Sequence, residues 1–496
     1  MLTKKNVLWY SLTAIFLAIN IYMLFHNLGR GYLIQTDEAY HATNAYEMFK
    51  QDNWIVNTYR YATDYFNSKP PLCLDIMVLS YKIFGISAFA ARFPSALFGL
   101  ITCIAIIAFL LHDKKTYAAA FFPMFFGACS PFFTFHMYRA AEMDALYNLF
   151  FVIAMISLYK MSRRPNLMYV YGLSLGLAFM CKGPHSALIF IIGLLYIPKC
   201  KEAFKSIKRI IISALLAAFI PCSWMVKRYM FDKGNLLNAL FVGEVADRVS
   251  NSDKSVPAHI ARFLSSNIFI IFVVLLIAVS LVAVVYMRAS KEKIPPMAKS
   301  FLSDNYLFVI WVIVPVLFFS FTDFHSWYIY TSNIALCILS SRLADYCITE
   351  PGGNKPAAKI IITAVSLLLT LFFIIPTIKN AINTIGTGGN PIDLFTNDIQ
   401  EFGKKYDNDY SDINAYLIPA YRTSGEESDH WDPEYVAPAE MYADLVPVDG
   451  TVDNFLSDPD SILILDKDLW DEYSSVLTGH VILYDNSYLI FSNEMY

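Results

Sequence analysis

Two adjacent carboxylates follow the first long apolar run of the chain, in the stretch TDEAYH. The pattern predicts a helix over 36–50 with Asp37 and Glu38 in its first turn. A carboxylate placed there can act as a general base and take a proton from a hydroxyl. Tyr40 and His41 lie off the apolar stripe of this helix. The alternative is structural, since acids in a first turn stabilise a helix through its dipole.

Two lone lysines occur beside predicted membrane segments. Lys69 precedes two prolines in NSKPPL, and Lys182 precedes Gly-Pro in CKGPH. Because proline fixes φ, it holds the local chain stiff. A lysine held in this way can bind a lipid phosphate and stabilise the charge that the phosphate gains as a leaving group. The alternative is an interfacial lysine that extends its ammonium towards water.

Three further clusters have the same two interpretations. Arg139 stands near acids that include Asp144, in the stretch HMYRAAEMD. Arg248 follows an acid by four residues, which is the spacing of a helical salt bridge. His325 lies beside a tryptophan and a tyrosine, as interfacial aromatic residues often do. Each cluster is either a local structural pair or part of an anion-binding site.

Composition places these clusters in a membrane protein. The chain has 496 residues, of which 56% are apolar and 16% charged, whereas soluble domains carry about a quarter of charged residues. Its eight cysteines form no CxxC pattern, so neither a disulfide framework nor a zinc site is indicated. Apolar runs that could cross a bilayer are 7–25, 93–111, 117–135, 145–159, 167–181, 187–198, 210–229, 263–287, 305–321, 327–340 and 358–376.

The distribution of basic residues predicts the topology. Lys and Arg are enriched in cytoplasmic loops, and six basic clusters fall on one face if residues 72–88 lie along the interface and do not cross. We therefore predict eleven crossings, with the amino end inside and the carboxyl end outside. All the polar clusters described above then meet on the outer side of the membrane, which indicates an active site there.

Residues 379–496 differ from the rest in being rich in Asp, Glu, Asn and Tyr. The segments SILILDKDLW and HVILYDNSYLIF have the pattern of strands. We predict a transmembrane domain over 1–378, with an outer loop at 26–92, and an extracytoplasmic α/β domain over 379–496.

Carboxylates beside fixed cations at membrane depth suit the reaction of a phosphate-linked lipid with a hydroxyl acceptor. A transporter or flippase of a lipid-linked sugar is the alternative, but transporters place charged groups near the bilayer midplane within two related halves. A non-catalytic envelope-binding scaffold is a third hypothesis.

The ordered set TDEAYHA, DNWIV, YFNSKPPL, AARFPSAL and LAFMCKGP is similar to the signature of GT-C fold glycosyltransferases. It resembles the bacterial branch related to protein O-mannosyltransferases and the lipid A aminoarabinose transferase, over about residues 1–345. The resemblance implies a polytopic α-helical fold of about 11–13 transmembrane helices, with interfacial helices after the first span.

The same resemblance implies an inverting transfer of a hexose or pentose from a polyprenyl-phosphate donor, outside the bacterial cytoplasmic membrane. The acceptor would be a lipid, a surface glycan or a protein, and no nucleic acid is expected. Carried over by position, Asp37 is the base, with Glu38 beside it and Asp144 as a second acid. Lys69 and Lys182 are the lysines of the donor-phosphate site.

Arg139, Tyr40, His41, Arg248 and His325 complete the predicted donor-phosphate site. The family often has an acid directly before the first lysine, near a bound metal in the aminoarabinose branch, whereas this chain has a serine there. No cofactor is therefore expected to be required, and a divalent metal ion stays an open alternative.

Overall fold

The structure is a computed structural model that describes residues 7–33, 35–134, 136–242, 256–290, 297–322, 325–349, 356–383, 390–406, 409–420 and 429–495. Within these ranges the elements of the first half are α1 (Val7–Phe25), α2 (Thr36–Lys50), β1 (Thr58–Tyr59), β2 (Ala62–Thr63), α3 (Leu72–Phe84), α4 (Ala88–His112), α5 (Thr116–Ala128), α6 (Pro131–Thr134), α7 (Asp144–Met161), α8 (Leu167–Lys182), α9 (Ala187–Tyr196), α10 (Lys201–Phe204), α11 (Ile207–Asp232) and α12 (Asn235–Asn238).

The elements of the second half are α13 (Val256–Leu264), α14 (Asn267–Ser290), α15 (Met297–Asp304), α16 (Tyr306–Phe319), α17 (Tyr330–Thr349), α18 (Pro356–Asn383), α19 (Pro391–Tyr406), β3 (Asn414–Ile418), α20 (Pro433–Ala443), β4 (Val446–Pro447), α21 (Val452–Ser457), β5 (Ser461–Asp466), α22 (Trp470–Leu477), β6 (His480–Asp485) and β7 (Tyr488–Met495). Short 3₁₀ turns occur at Gly183–Ser186, Ile197–Lys199, Ser326–Ile329 and Lys467–Leu469.

The prediction of a polytopic helical membrane protein is confirmed. A helix occupies each of the eleven predicted apolar runs. Among the described residues, seven segments are long and apolar enough to cross a membrane: Val7–Phe25, Ala88–His112, Asp144–Met161, Leu167–Lys199, Ile207–Asp232, Asn267–Val285 and Pro356–Ala381. The helix α3 has 13 residues, fewer than a crossing needs, which agrees with the prediction that this segment does not cross. The number of crossings stays a prediction.

The chain folds into two compact units. The first, which we call the helical unit, consists of residues 1–26, 65–73 and 95–382. In it α8 packs against α7 and α11, and α5 packs against α1 and α17. Aromatic side chains fill its interior, and those of α5 are fully buried: Phe121, Phe122, Phe125 and Phe126.

The second unit, which we call the mixed unit, consists of residues 27–64, 74–94 and 383–496. Its five-stranded sheet has the order β4-β3-β5-β7-β6, with β4, β3 and β5 parallel and β7 antiparallel to both β5 and β6. Helices cover both faces, so the central strands are apolar on both sides. In β5, Ile462 and Ile464 face one core while Leu463 and Leu465 face the other.

The predicted C-terminal α/β domain is therefore present, and it belongs to a larger unit than the sequence indicated. Within the mixed unit α2 packs on α20. The Tyr46 hydroxyl donates to Asp444 at 2.6 Å, and the Lys50 ammonium donates to Asp412 at 2.7 Å. At the other end of α2 the Thr36 hydroxyl donates to Glu434 at 2.5 Å. The helix that carries the predicted base is thus held along its length by the C-terminal domain.

A pair of carboxyl groups, Glu47 of α2 and Glu440 of α20, is buried in this contact. The two carboxyl groups interact electrostatically, and their burial favours the protonated form of at least one of them. Burial raises the pKa of Glu47 to about 7. Burial and the neighbouring Glu47 raise the pKa of Glu440 well above its usual range.

These shifts predict that the mixed unit loses stability as the pH rises. The folded state holds a proton on Glu47 up to about pH 7, whereas the unfolded state releases it near a pKa of about 4.3. The contribution is therefore complete below about pH 4.3 and is lost as the pH approaches about 7, at a slope of at most about 1.4 kcal/mol per pH unit. We expect the unfolding temperature to fall across this window.

Glu47→Gln is expected to flatten this dependence, because the amide needs no proton. The measurement is the unfolding temperature of the full chain at several pH values. Glu472→Gln, at an exposed position of the same unit, is the matched control. Equal slopes in Glu47→Gln and in the unaltered chain would contradict the assignment.

Candidate active site

A buried ion pair joins two predicted site residues in the helical unit. Asp144 is the first residue of α7 and Lys182 is the last residue of α8. The Lys182 ammonium donates to both carboxylate oxygens of Asp144, at 2.6 and 2.7 Å. Lys182 is only 5% exposed and Asp144 only 4% exposed. The acid at a helix start and the base at a helix end are each favoured by the helix dipole.

The segment that follows Lys69 packs between these two helix ends. A Cβ built at Gly183 would lie 3.6 Å from Pro70 Cδ. The Cys73 thiol donates at 3.8 Å to the carbonyl of Met143, the residue before α7. Gly183 has φ of +54°, a conformation that favours glycine. The structure therefore brings the chain at Lys69 beside the Asp144–Lys182 pair.

Lys69 itself is half-buried, and its ammonium donates to the Asn67 side chain at 3.3 Å. This neutral partner leaves the charge of Lys69 uncompensated by that bond. Lys182, in contrast, is bound to a carboxylate. The two lysines thus offer an incoming phosphate very different electrostatic environments.

An aromatic wall lies next to the ion pair. The Lys182 ammonium is 5.3 Å from the ring centre of Tyr328. The His325 ring lies 4.8 Å from that of Trp327 and 4.9 Å from that of Tyr328. The structure therefore places His325 in the same region as Lys182, through Tyr328.

The pair His136 and Glu142 was missed by sequence reasoning. His136 Nδ1 lies 3.0 Å from a Glu142 carboxylate oxygen, and both side chains are buried. The imidazole stacks on Trp327 at 3.9 Å between ring centres. The signal in the sequence was a histidine and a glutamate within HMYRAAEMD, but only the fold shows that they meet.

Arg139 has structural contacts in the helical unit. Its guanidinium donates to the carbonyls of Met23, Leu24 at 3.3 Å and His26 at 3.1 Å. These groups lie at the carboxyl end of α1, where backbone carbonyls lack helical partners and a cation is favoured. Arg139 therefore caps α1, and its role in phosphate binding stays a prediction.

Glu38 makes a bidentate ion pair in the mixed unit. Arg92 Nε and Nη2 donate to its two oxygens at 2.7 and 2.8 Å, and both residues are buried. The same guanidinium donates to the carbonyl of Tyr32 at 2.8 Å and to other carbonyls of the turn that leads into α2. Glu38 thus contributes to the position of Asp37 by fixing this turn, and a catalytic role for it stays a prediction. Arg92 was missed, although an arginine in an apolar helix calls for a partner.

The other predicted residues of α2 occupy distinct environments. Asp37 is half-buried in the first turn, and His41 is buried. The Tyr40 hydroxyl donates to Asp64 at 3.1 Å, and its ring stacks on that of Tyr59 at 4.1 Å. Burial and the Asp64 carboxylate raise the pKa of Tyr40, so it stays a neutral donor. Arg248, the remaining predicted site residue, lies outside the described residues.

Comparison with known proteins decides the fold. Residues 68–226 match the family model described as Dolichyl-phosphate-mannose-protein mannosyltransferase, and this segment includes Lys69, Asp144 and Lys182. The crystal structure of ArnT from Cupriavidus metallidurans bound to undecaprenyl phosphate has a TM-score of 0.68 at 15% identity. The match covers 97% of this chain and 98% of that one. This chain has the GT-C glycosyltransferase fold.

Two other proteins are similar over part of their length. Arabinofuranosyltransferase AftD from Mycobacteria has a TM-score of 0.54 at 9% identity, covering 98% of this chain and 40% of that one. An uncharacterized protein from Aquifex aeolicus (strain VF5) is 25% identical over 235 residues, which is 46% of this chain and 45% of that protein. The match thus spans less than half of that relative.

The GT-C chain presents two sets of predicted site residues, one in each unit. Lys69, Asp144, Lys182 and His325 lie together in the helical unit, while Asp37, Glu38, Tyr40 and His41 lie on one helix of the mixed unit. The first set supplies cations and aromatic rings, groups that are able to bind a phosphate and the face of a sugar. The second supplies a half-buried carboxylate, which can accept a proton.

Proposed function

We propose that the chain is an inverting glycosyltransferase that moves a hexose or pentose from a polyprenyl phosphate to an acceptor on the outer side of the bacterial cytoplasmic membrane. The acceptor is a lipid, a surface glycan or a protein. The observation that carries this proposal is the Asp144–Lys182 pair beside the Lys69 segment, within a chain that has the GT-C fold over 97% of its length.

The similarity to ArnT, whose structure holds undecaprenyl phosphate, supports a polyprenyl-phosphate donor. The polyprenyl tail anchors such a donor in the bilayer, so its phosphate lies at the membrane surface. The ends of α7 and α8 carry the charged groups that suit this depth. The basic clusters predict that these ends face away from the cytoplasm.

In the proposed reaction the acceptor hydroxyl oxygen attacks the anomeric carbon, and the bond from that carbon to the phosphate oxygen breaks. Asp37 takes the hydroxyl proton, and the bonding electron pair leaves with the polyprenyl phosphate. Attack from the face opposite the phosphate inverts the anomeric centre. Because phosphate leaves as a stable anion, the proposed chemistry requires no general acid and no bound metal. Chelator treatment is therefore expected to leave turnover unchanged.

Lys69 and Lys182 have different parts in this proposal. The charge of Lys182 is compensated by Asp144. Lys182 therefore contributes to phosphate binding mainly by donating a hydrogen bond from a fixed position. Lys69 lacks such compensation in its bond to Asn67 and supplies the larger share of the attraction. Its ammonium also stabilises the charge that develops on the phosphate in the transition state.

Lys69→Ala is expected to weaken donor affinity by about ten- to a hundredfold, the loss of one hydrogen bond to a charged group. Donor binding is measured by titration of the purified full chain with a polyprenyl-phosphate sugar. Lys82→Ala is the matched control, since that lysine is an exposed partner of Asp52. Unchanged affinity in Lys69→Ala would show that this lysine does not meet the phosphate.

The function itself is tested with a panel of polyprenyl-phosphate sugars. A cognate donor should protect the purified protein from thermal unfolding and should transfer its sugar to a membrane-extract acceptor with inversion. If no donor of this class protects the protein or supports transfer, the proposal is wrong.

A further inference from the structure

A cavity lies at the opposite end of the helical unit from Asp144. The helix α7 has 18 residues, so its ends are about 27 Å apart at 1.5 Å per residue. Asp144 begins this helix, and Lys160 near its end lines a cavity of about 610 Å³. This volume lies in the range of small-molecule sites. We call it the basic cavity, because six cations line it: Lys115, Lys160, Arg163, Arg164, Lys199 and Arg342.

Arg342 of α17 lines the basic cavity, and its guanidinium is held in place by several contacts. It is 5% exposed, and its Nη1 and Nη2 donate to Asp113 at 3.1 Å and to the Tyr159 hydroxyl at 3.2 Å. Its Nε donates to the buried Asn305 side chain. The rings of Tyr159 and Phe308 lie 5.4 and 5.3 Å from the guanidinium carbon. These contacts hold the planar group in one orientation and use three of its five N–H donors.

Positive charge exceeds negative charge in this lining. Two carboxylates, Asp113 and Asp304, stand among the six cations. The first accepts from Arg342 and also lies 3.9 Å from the Arg163 guanidinium, and Lys115 pairs at 3.4 Å with Asp345, which is outside the lining. The remaining cations therefore face a shared space with a net positive charge, which attracts an anion.

Topology signals alone do not account for this arrangement. Basic residues that orient a membrane protein need only lie in cytoplasmic loops. Here they come from the ends of α7 and α9, from the turn after α4 and from the interior of α17, and they converge on one concave space. A buried, oriented arginine at its base is costly unless it has partners, and its planar fork suits oxyanions.

We propose that the basic cavity binds a phosphate group. Arginine binds phosphate through paired, parallel N–H donors, and the surrounding lysines add positive charge without a fixed geometry. The phosphate is either the headgroup of an anionic membrane lipid or a soluble phosphate compound. The charge rule places this end of the unit at the cytoplasmic surface, where anionic lipids attract clustered Lys and Arg. The inference is independent of the proposed transferase activity.

The test uses the purified full chain in detergent and measures binding calorimetrically. Three probes are dihexanoyl phosphatidic acid, dihexanoyl phosphatidylcholine and inorganic phosphate. The site variant is Lys160→Gln with Arg164→Gln. The matched control is Lys201→Gln with Lys208→Gln, which removes the same charge from exposed positions that do not line the cavity.

We expect the site variant to weaken binding of at least one anionic probe by about tenfold or more, while the control variant binds as the unaltered chain does. Binding of the phosphatidic acid without inorganic phosphate identifies a lipid headgroup, and comparable binding of both identifies a soluble phosphate. Equal losses in the two variants, a preference for the zwitterionic lipid, or no binding of either anion overturns the proposal.

Discussion

Asp37→Asn is expected to lower the turnover of sugar transfer by about 10²–10⁴-fold, the usual contribution of a general base. Asparagine preserves the size of the side chain and its place in the first turn of α2, but its amide does not accept a proton. Donor affinity is expected to stay within about threefold, because the base acts on the acceptor hydroxyl and not on the donor phosphate. Single-turnover kinetics with a bound donor separate these two effects.

The competing explanation makes a different prediction for the same change. If Asp37 only stabilises the helix dipole, its replacement costs about 0.3–1 kcal/mol of stability and leaves turnover almost unchanged. Asp52→Asn is the matched control, since Asp52 is exposed in the same unit. A normal rate in Asp37→Asn, with a lowered unfolding temperature, would remove the base from the proposed mechanism.

The helix that carries Asp37 could be predicted from the sequence because its signals are local. The predicted range 36–50 agrees with α2, Thr36–Lys50. A polar first turn and an apolar stripe at helical spacing are enough to determine such a helix. The partners of the helix could not be found in this way. Arg92 is 54 residues from Glu38, and Glu440 is far beyond that, so only the folded chain shows these contacts.

The C-terminal strands could likewise be predicted from their own residues, whereas their contacts with distant parts of the chain could not. The segment SILILDKDLW has the pattern of a strand, and its first six residues form β5, Ser461–Asp466, whereas the rest forms a turn and the start of α22. No local pattern indicates that the domain built on this strand also binds α2. The physical reason is that Tyr46 and Lys50 are ordinary helix residues until Asp444 and Asp412 meet them.

Basic residues were interpreted from the sequence as topology signals, and the fold adds a second property. Lys115, Lys160 and Lys199 are separated in sequence, yet they line one cavity. Arg342 had no distinguishing signal, since it directly follows the predicted apolar run 327–340, as many cytoplasmic arginines follow a span. Convergence in space is a tertiary property that charge counting along a chain does not measure.

The Asp144–Lys182 pair predicts the largest effect on stability. Removing one partner leaves a buried charge without compensation, which costs about 3–5 kcal/mol. Asp144→Asn and Lys182→Met are each expected to lower the free energy of unfolding by roughly this amount. The double variant is expected to lose much less than the sum, because no charge stays buried. Denaturant unfolding of the full chain measures all three, with Lys233→Met as an exposed lysine control.

The double variant also separates the structural part of the pair from its part in donor binding. If the ammonium of Lys182 donates to the donor phosphate, a folded double variant binds donor about tenfold or more weakly than the unaltered chain. If the pair only fastens α7 to α8, donor affinity recovers together with stability. A double variant that is as unstable as the sum of the single variants would mean that the two charges do not compensate each other. The packing around Gly183, and not the ion pair, would then hold the end of α8 beside the Lys69 segment.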